Sequence, residues 1–370
     1  MEGRAQTVVL IGPLNWGLGH ATRCVPIINA LLFRKCKVMI AAEGASLAFL
    51  QKEFSDRAYF LRFRGKSIRY PSKGNMLLSM ALQTPGLLFS ILREHRELKK
   101  LVRQTGAKAV ISDNRYGLWN KNARTVLITH QLFIRAPKAK KWLEPWLGRV
   151  TRFFVKKFDI CWVPDFAEAP GLSGALSHKE PLPGLRFIGP LSRFTAIAEG
   201  SFKNPLPEDF PADFFLVVLS GPEPQRSIFE VMLWAQFQRT GDPVVFVQGK
   251  PDGELRQCTG NAFFMNHAKT SELAWLVTHC RMIICRPGYS TIMDLSVFGK
   301  KALLIPTPGQ TEQEYLGQML TESGQAFCVK QSELDLATHV LVAEKLAGIK
   351  KIEKQDDLLE NALNELLGDL

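Results

Sequence analysis

The chain has 370 residues, 46% of them apolar, which is enough for roughly two or three domains with full cores and excludes extended disorder. No apolar run reaches the roughly 20 residues that a membrane span requires, which excludes a spanning helix. The net charge of +12 is unevenly spread: residues 1–195 hold 32 Lys/Arg against 12 Asp/Glu (+20), and residues 196–370 hold 15 against 23 (−8).

A split of that size predicts two domains with different partners, the basic half facing something anionic. The seven cysteines form no CxxC pair, which suits reduced thiols in a cytoplasm and neither a disulfide framework nor a zinc site.

The chain enters an apolar strand at Thr7–Gly12 almost at once, so no signal peptide is expected. A glycine turn follows, from Pro13 through Asn15, Gly17, Leu18 and Gly19 to His20. A helix with apolar positions Val25, Ile28 and Leu31 comes next, then a second strand over Lys37–Ala42 that ends at Glu43. This βαβ opening admits a dinucleotide fold, with Glu43 where a ribose ligand would stand. The spacing Gly17-x-Gly19-x-x-Thr22, however, lacks the third glycine of that fingerprint.

Residues 58–104 begin strand-like, turn basic and glycine-containing, and continue into a long amphipathic stretch that Pro85-Gly86 is expected to break or kink. Further strands are predicted over Ala109–Ser112, ending in Asp113, and over Thr125–Thr129, ending in His130-Gln131. Polar groups at strand ends are the ligand-facing positions of an open α/β sheet. Residues 133–157 interleave Phe133, Trp142, Trp146, Phe153 and Phe154 with lysines and arginines. That composition suits helix packing, a bilayer interface or single-stranded nucleic acid; without a nucleic-acid motif, no nucleic-acid partner is expected.

After a Gly/Pro/Ser-rich excursion to Gly184 and a short strand comes Pro190-Leu191-Ser192-Arg193, with residues 196–212 as the linker. A second strand–loop–helix unit opens at Phe214, its loop running from Ser220-Gly221 to Arg226. The most informative stretch is residues 285–313. A strand ends at Cys285, Arg286-Pro287-Gly288 makes a turn, and a helix starts whose first amides Ser290 or Thr291 can cap. A glycine turn feeding a helix start is an anion site. Asp294, one turn in, can accept hydrogen bonds from two vicinal hydroxyls, so phosphate and ribose together describe a nucleotide.

The ordered set Arg286, Gly288, Thr291, Asp294, Pro306, Pro308, Gln310 and Gln313 resembles the donor half of GT-B glycosyltransferases, above all family 28 with its MurG-like N-acetylglucosaminyltransferases. The acidic residue is Asp here, where the family usually has Glu. The GLGH segment at Gly17–His20 resembles the first loop of family 28 and of UDP-glycosyltransferases. The resemblance implies an α/β protein with two Rossmann-like doubly wound domains facing across a cleft. Its parts would be an acceptor domain over 1–195, a donor domain over 213–350 and a C-terminal helix over 351–370 that crosses back.

It implies, further, His20 as base oriented by Asp113. Donor binding would fall to Gly19, Arg193, Ser220, Gly221, Arg226, Arg286, Gly288, Ser290, Thr291, Asp294, Gln310 and Gln313, with Asn15, His130 and Gln131 on the acceptor or sugar side. The activity implied is inverting transfer from a nucleotide-sugar, UDP-linked, to an acceptor hydroxyl on a glycan or lipid, in a cytoplasmic, cell-envelope setting with peripheral contact to an anionic membrane. No cofactor or metal is expected, since no DxD, HxH or HExxH is present and dipoles and Arg hold the diphosphate. Three other readings stand beside it: an NAD-dependent oxidoreductase using the first loop, a GT-B nucleotide-sugar epimerase, and a nucleic-acid binder using the basic half.

Overall fold

The computed structural model describes residues 6–65, 76–180, 184–195, 197, 199–352 and 357–368. Most of the basic stretch expected between the third strand and the long helix, residues 66–75, lies outside the described residues, as do linker residues 196 and 198. Among the described residues, 6–65, 80–191 and the C-terminal helix form the first compact unit, and 192–352 together with 76–79 form the second.

In the first unit seven strands form one sheet: β1 (Val8–Pro13), β2 (Lys37–Ala42), β3 (Tyr59–Arg62), β4 (Ala109–Asp113), β5 (Arg124–Ile128), β6 (Ile160–Val163) and β7 (Leu185–Phe187). Their order is β3-β2-β1-β4-β5-β6-β7 and every pairing is parallel. The near-continuous apolar runs of β1, β4 and β5 follow from this: helices cover both faces of a parallel sheet, so no face is left for polar residues. The chain leaves β1 toward β2 and β3, and later continues outward from β4. The direction of winding therefore reverses between β1 and β4, whose carboxyl ends open a crevice. Register places Pro13 beside Asp113 there.

Four helices follow the early strands of this unit: α1 (Gly19–Phe33), α2 (Gly44–Phe54), α3 (Met76–Thr105) and α4 (Glu144–Val155). The break expected at Pro85 does not occur. α3 is a single helix of 30 residues with Pro85 inside it. A proline removes one rung of the hydrogen-bond ladder, and a helix this long retains the rungs on either side. The core between α3 and the sheet joins Leu98 and Val102 to Leu10, Val110 and Leu118.

The second unit repeats the plan with β8 (Phe215–Val218), β9 (Val244–Val247), β10 (Arg256–Thr259), β11 (Ala262–Met265), β12 (Met282–Cys285), β13 (Ala302–Leu304) and β14 (Phe327–Cys328), in the order β10-β11-β9-β8-β12-β13-β14. Only the β10–β11 pairing is antiparallel. Nothing in the sequence marks β10, because all four of its residues are exposed and show no apolar alternation. The helices are α5 (Gln225–Thr240), α6 (Thr270–His279), α7 (Tyr289–Phe298), α8 (Thr311–Glu322) and α9 (Leu336–Glu344). Here the winding reverses between β8 and β12, so the loops after those two strands form this unit's crevice.

The last helix, α10 (Asp357–Gly368), belongs to the first unit. Arg186 forms a bidentate ion pair with Glu365, and Arg34 reaches Glu360.

Candidate functional site

The first crevice is built from three strand ends. Leu14 N–H donates to the carbonyl of Asp113 at 3.0 Å, which ties the loop after β1 to the end of β4. Gly17 sits at φ 116, a left-handed value that lets the chain turn into α1. Helix α1 then sets His20 and Arg23 one turn apart, on one face.

His20 Nδ1 lies 3.2 Å from Asp113 Oδ1, so the pairing expected from sequence is present. Between them is a residue that sequence reading did not single out. Arg23, 1% exposed, donates from Nε to Asp113 Oδ2 at 2.6 Å and from Nη2 to Asp113 Oδ1, a bidentate clasp on a carboxylate that is 0% exposed. The same guanidinium approaches His20 Nδ1 at 2.9 Å through Nη2 and His130 Nδ1 at 3.2 Å through Nη1. Three predicted residues, His20, Asp113 and His130, thus converge on Arg23. Two signals were available: its i+3 spacing from His20, and the need of a buried strand-end Asp for a counter-ion.

Burial opposes the ionisation of Asp113, but Arg23 and then His20 overcome it, and its carboxyl is held down at about 2. His20 is lowered from its ordinary value. Burial is the largest cause, Asp113 opposes it, and the charges of Arg23 and His130 add to the lowering. Gln131, partly buried, donates its backbone N–H to Thr129 Oγ1 at 3.1 Å. Asn15 faces the β2–α2 turn, where an added Cβ on Gly44 would come within 2.8 Å of the Asn15 amide nitrogen. Glu43, the ribose ligand of a dinucleotide reading, accepts the Gly65 N–H at 2.6 Å.

In the second crevice, α7 follows β12 through Arg286-Pro287-Gly288. Gly288 is the N-cap residue and has no side chain with which to cap the helix. Ser290 and Thr291 lie in the first turn of the helix, past the N-cap position. The second loop, after β8, differs. Glu223 accepts the Ser227 N–H at 3.2 Å and the Ser227 hydroxyl at 3.0 Å, so a carboxylate of the chain already faces the start of α5. Ser220 and Gly221 precede it, Gly221 at φ 103.

The cations divide between the two crevice loops and the stretch after β7. Arg226 is taken up by Glu223 at 2.8 Å, Glu230 at 2.8 Å, the carbonyl of Gln248 and the Ser227 hydroxyl. Arg286 donates to the carbonyls of Ile305, Pro306 and Gln225 and to Gln331 Oε1, with its guanidinium 3.8 Å above the ring centroid of Phe229. Burial brings its pKa down to about 9. Both arginines therefore act as clasps between elements.

Asp294, partly exposed one turn into α7, accepts from Ser192 Oγ at 2.6 Å. Burial pushes its carboxyl up to about 6, against the opposing charge of Arg193 and the Ser192 bond. Gln310 Oε1 accepts the Gln313 N–H at 2.7 Å and caps α8, while Gln313 Oε1 accepts the Thr307 N–H at 2.7 Å. This unit thus assembles the start of α7, Asp294, Ser192, Arg193 and the glutamine loop.

Residues 216–365 match the family model described as the glycosyltransferase family 28 C-terminal domain. Among curated relatives, a UDP-N-acetylglucosamine–N-acetylmuramyl-(pentapeptide) pyrophosphoryl-undecaprenol N-acetylglucosamine transferase of Prochlorococcus marinus is 26% identical over 168 residues, covering 42% of this chain and 45% of that protein. The enzyme of the same name from Microcystis aeruginosa is 24% identical over 266 residues, 69% of this chain and 68% of that one. The chain thus spans about half the length of the first relative and two thirds of the second.

Among solved structures, the glycotransferase of kitacinnamycin superposes with a TM-score of 0.63 at 14% identity, covering 99% of this chain and 96% of that one. MurG of Acinetobacter baumannii superposes at 0.55 and 12% identity, covering 99% and 100%. The two α/β sheets and these superpositions give the chain a GT-B fold, and its C-terminal part is similar to the family 28 C-terminal domain.

Proposed function

We propose that the chain transfers a sugar from a nucleotide-sugar, UDP-linked, to an acceptor hydroxyl, with inversion at the anomeric carbon. The observation that carries this reading is the start of α7: a helix N-terminus entered through Gly288, with Asp294 one turn below, set beside Ser192 and Arg193. The positive dipole end of that helix suits a diphosphate. The carboxylate suits the two ribose hydroxyls. In the first unit His20 takes the proton of the acceptor hydroxyl. The resulting oxygen attacks the anomeric carbon opposite the diphosphate, and the nucleoside diphosphate leaves with the electron pair of the broken bond.

Thermal shift against UDP, GDP, dTDP, ADP and NAD tests the donor side. One nucleoside diphosphate is expected to stabilise the protein, and Asp294→Ala to abolish most of that shift. Two charge-assisted bonds at about 1.5–3 kcal/mol each are at stake, an affinity loss of about 10²-fold or more. In the wild type the shift is expected to weaken as pH falls through about 6, where Asp294 takes up a proton and stops accepting two bonds. A shift with NAD alone, unaffected by Asp294→Ala, would move the nucleotide to the first loop and end this reading.

The acceptor is proposed to be lipid-linked and met at an anionic membrane surface. In the first unit Leu88, Phe89 and Leu92 on α3 and Trp146 and Phe153 on α4 are exposed. Lys99 of α3 and Lys157, just past α4, both lie over the ring of Trp119. Apolar anchors among cations suit the headgroup boundary of a bilayer. No described helix is long and apolar enough to cross a membrane. Co-sedimentation is expected with vesicles containing phosphatidylglycerol, to weaken with salt, and to drop in Trp146→Ser/Phe153→Ser. Equal retention by neutral vesicles, or none by either, would remove the membrane from the proposal.

A further inference from the structure

Nothing in the reading so far requires Arg23, yet its side chain is among the largest fully buried ones in the protein. It occupies the one place where a cation changes what His20 is able to do. A buried carboxylate facing an imidazole ordinarily draws a proton onto the ring, because imidazolium and carboxylate stabilise each other once both are out of water. His20 with Asp113 alone would be such a pair. Arg23 intervenes geometrically: it takes both oxygens of Asp113, through Nε and Nη2, and lies 2.9 Å from the same Nδ1 that faces Asp113. The groups facing His20 are then one anion, Asp113 at the end of β4, and two further bases or cations, Arg23 on its own helix and His130 beyond β5.

We infer that Arg23 is the positioning residue of this site: by closing on Asp113 it takes up the carboxylate's charge, so that His20 remains a neutral imidazole while still held in place. The inference rests on the proposed role of His20 as base only for its purpose, since the protonation state itself is read without turnover. A general base must have a lone pair to offer, and a ring already protonated by its neighbour has none. The direction of the His20 shift in the folded chain, downward with burial and Arg23 contributing, agrees with the geometry.

The experiment is a pH titration of the His20 ring by NMR, in the wild type and in Arg23→Gln, with kcat/KM measured over the same pH range. In the wild type His20 is expected to titrate below 6.5, its ordinary value. In Arg23→Gln the uncompensated Asp113 is expected to raise it by at least one pH unit. The acid limb of kcat/KM should move with it, leaving activity low at pH 7 and recovering at alkaline pH. A role confined to packing would lower activity at every pH alike. Arg23→Lys, which restores the charge without the fork, is expected to return most of the shift.

Unchanged His20 titration in Arg23→Gln would overturn the inference. So would a wild-type His20 that titrates above 6.5, a result that needs no variant and stands even if Arg23→Gln does not fold. If the ring titrates as expected while kcat/KM shows no matching limb, the base assignment fails and the role of Arg23 toward His20 stands.

Discussion

Replacing His20 with alanine is expected to lower kcat by about 10²–10⁴-fold, the span of a lost general base, while the thermal shift with UDP keeps its wild-type size. The separation is expected because each function is assigned to its own unit. His20 belongs to the first, and the helix start with Asp294 belongs to the second. Stability should change little, by about 1 kcal/mol, because the two bonds between Arg23 and Asp113 persist without the imidazole.

The pH profile adds a second check. The folded value of His20 lies below 6.5, so the unfolded chain takes up this proton first. Stability should therefore fall as pH drops below 6.5, and the acid limb of activity should lie below 6.5 as well. Near-wild-type turnover in His20→Ala would place the base on another residue.

The fold was legible from the sequence where side chains answer to local rules. The strand at Lys37–Ala42 is found with the bounds its apolar run suggests, since a buried parallel strand has no polar face to blur its edges. The C-terminal helix carries no such ambiguity either. The elements that were missed follow other rules. β10 is exposed on every residue and pairs antiparallel with β11. α3 runs through Pro85 because its length outweighs one missing rung.

At the sites, sequence conveys which charges are present but not what they face. His20 and Asp113 could be paired because Asp113 ends β4 and His20 follows the end of the neighbouring β1, and strand ends meet at the crevice. Arg23 looked like any polar residue of an amphipathic helix, since its partner is 90 residues away. Arg226 and Arg286 present the converse case. A cation beside a glycine turn reads as a phosphate ligand, and only the folded chain reveals the carboxylates and carbonyls that occupy it.

That occupation gives Arg286 an expected effect opposite to the one its motif suggests. Arg286→Ala should cost about 3–5 kcal/mol. It strands the carbonyls of Ile305 and Pro306, buried acceptors worth about 1–3 kcal/mol each when unsatisfied. It also empties a space against Phe229. For a unit of this size about 4 kcal/mol corresponds to a melting shift of about 8–16 °C.

Arg286→Lys should not rescue it, because one ammonium cannot reach three carbonyls and Gln331 in the plane that the guanidinium spans. Differential scanning calorimetry on the intact chain reads the loss, and a UDP titration well below the lowered melting point reads the affinity. If Arg286 is a clasp, the variant melts early and still binds UDP within a few-fold of wild type. If it contacts the diphosphate, stability holds and affinity falls by about 10-fold or more, at about 1.5–3 kcal/mol for a bond to a charged group. The two outcomes differ in which instrument responds, so the assignment does not depend on the size of either effect.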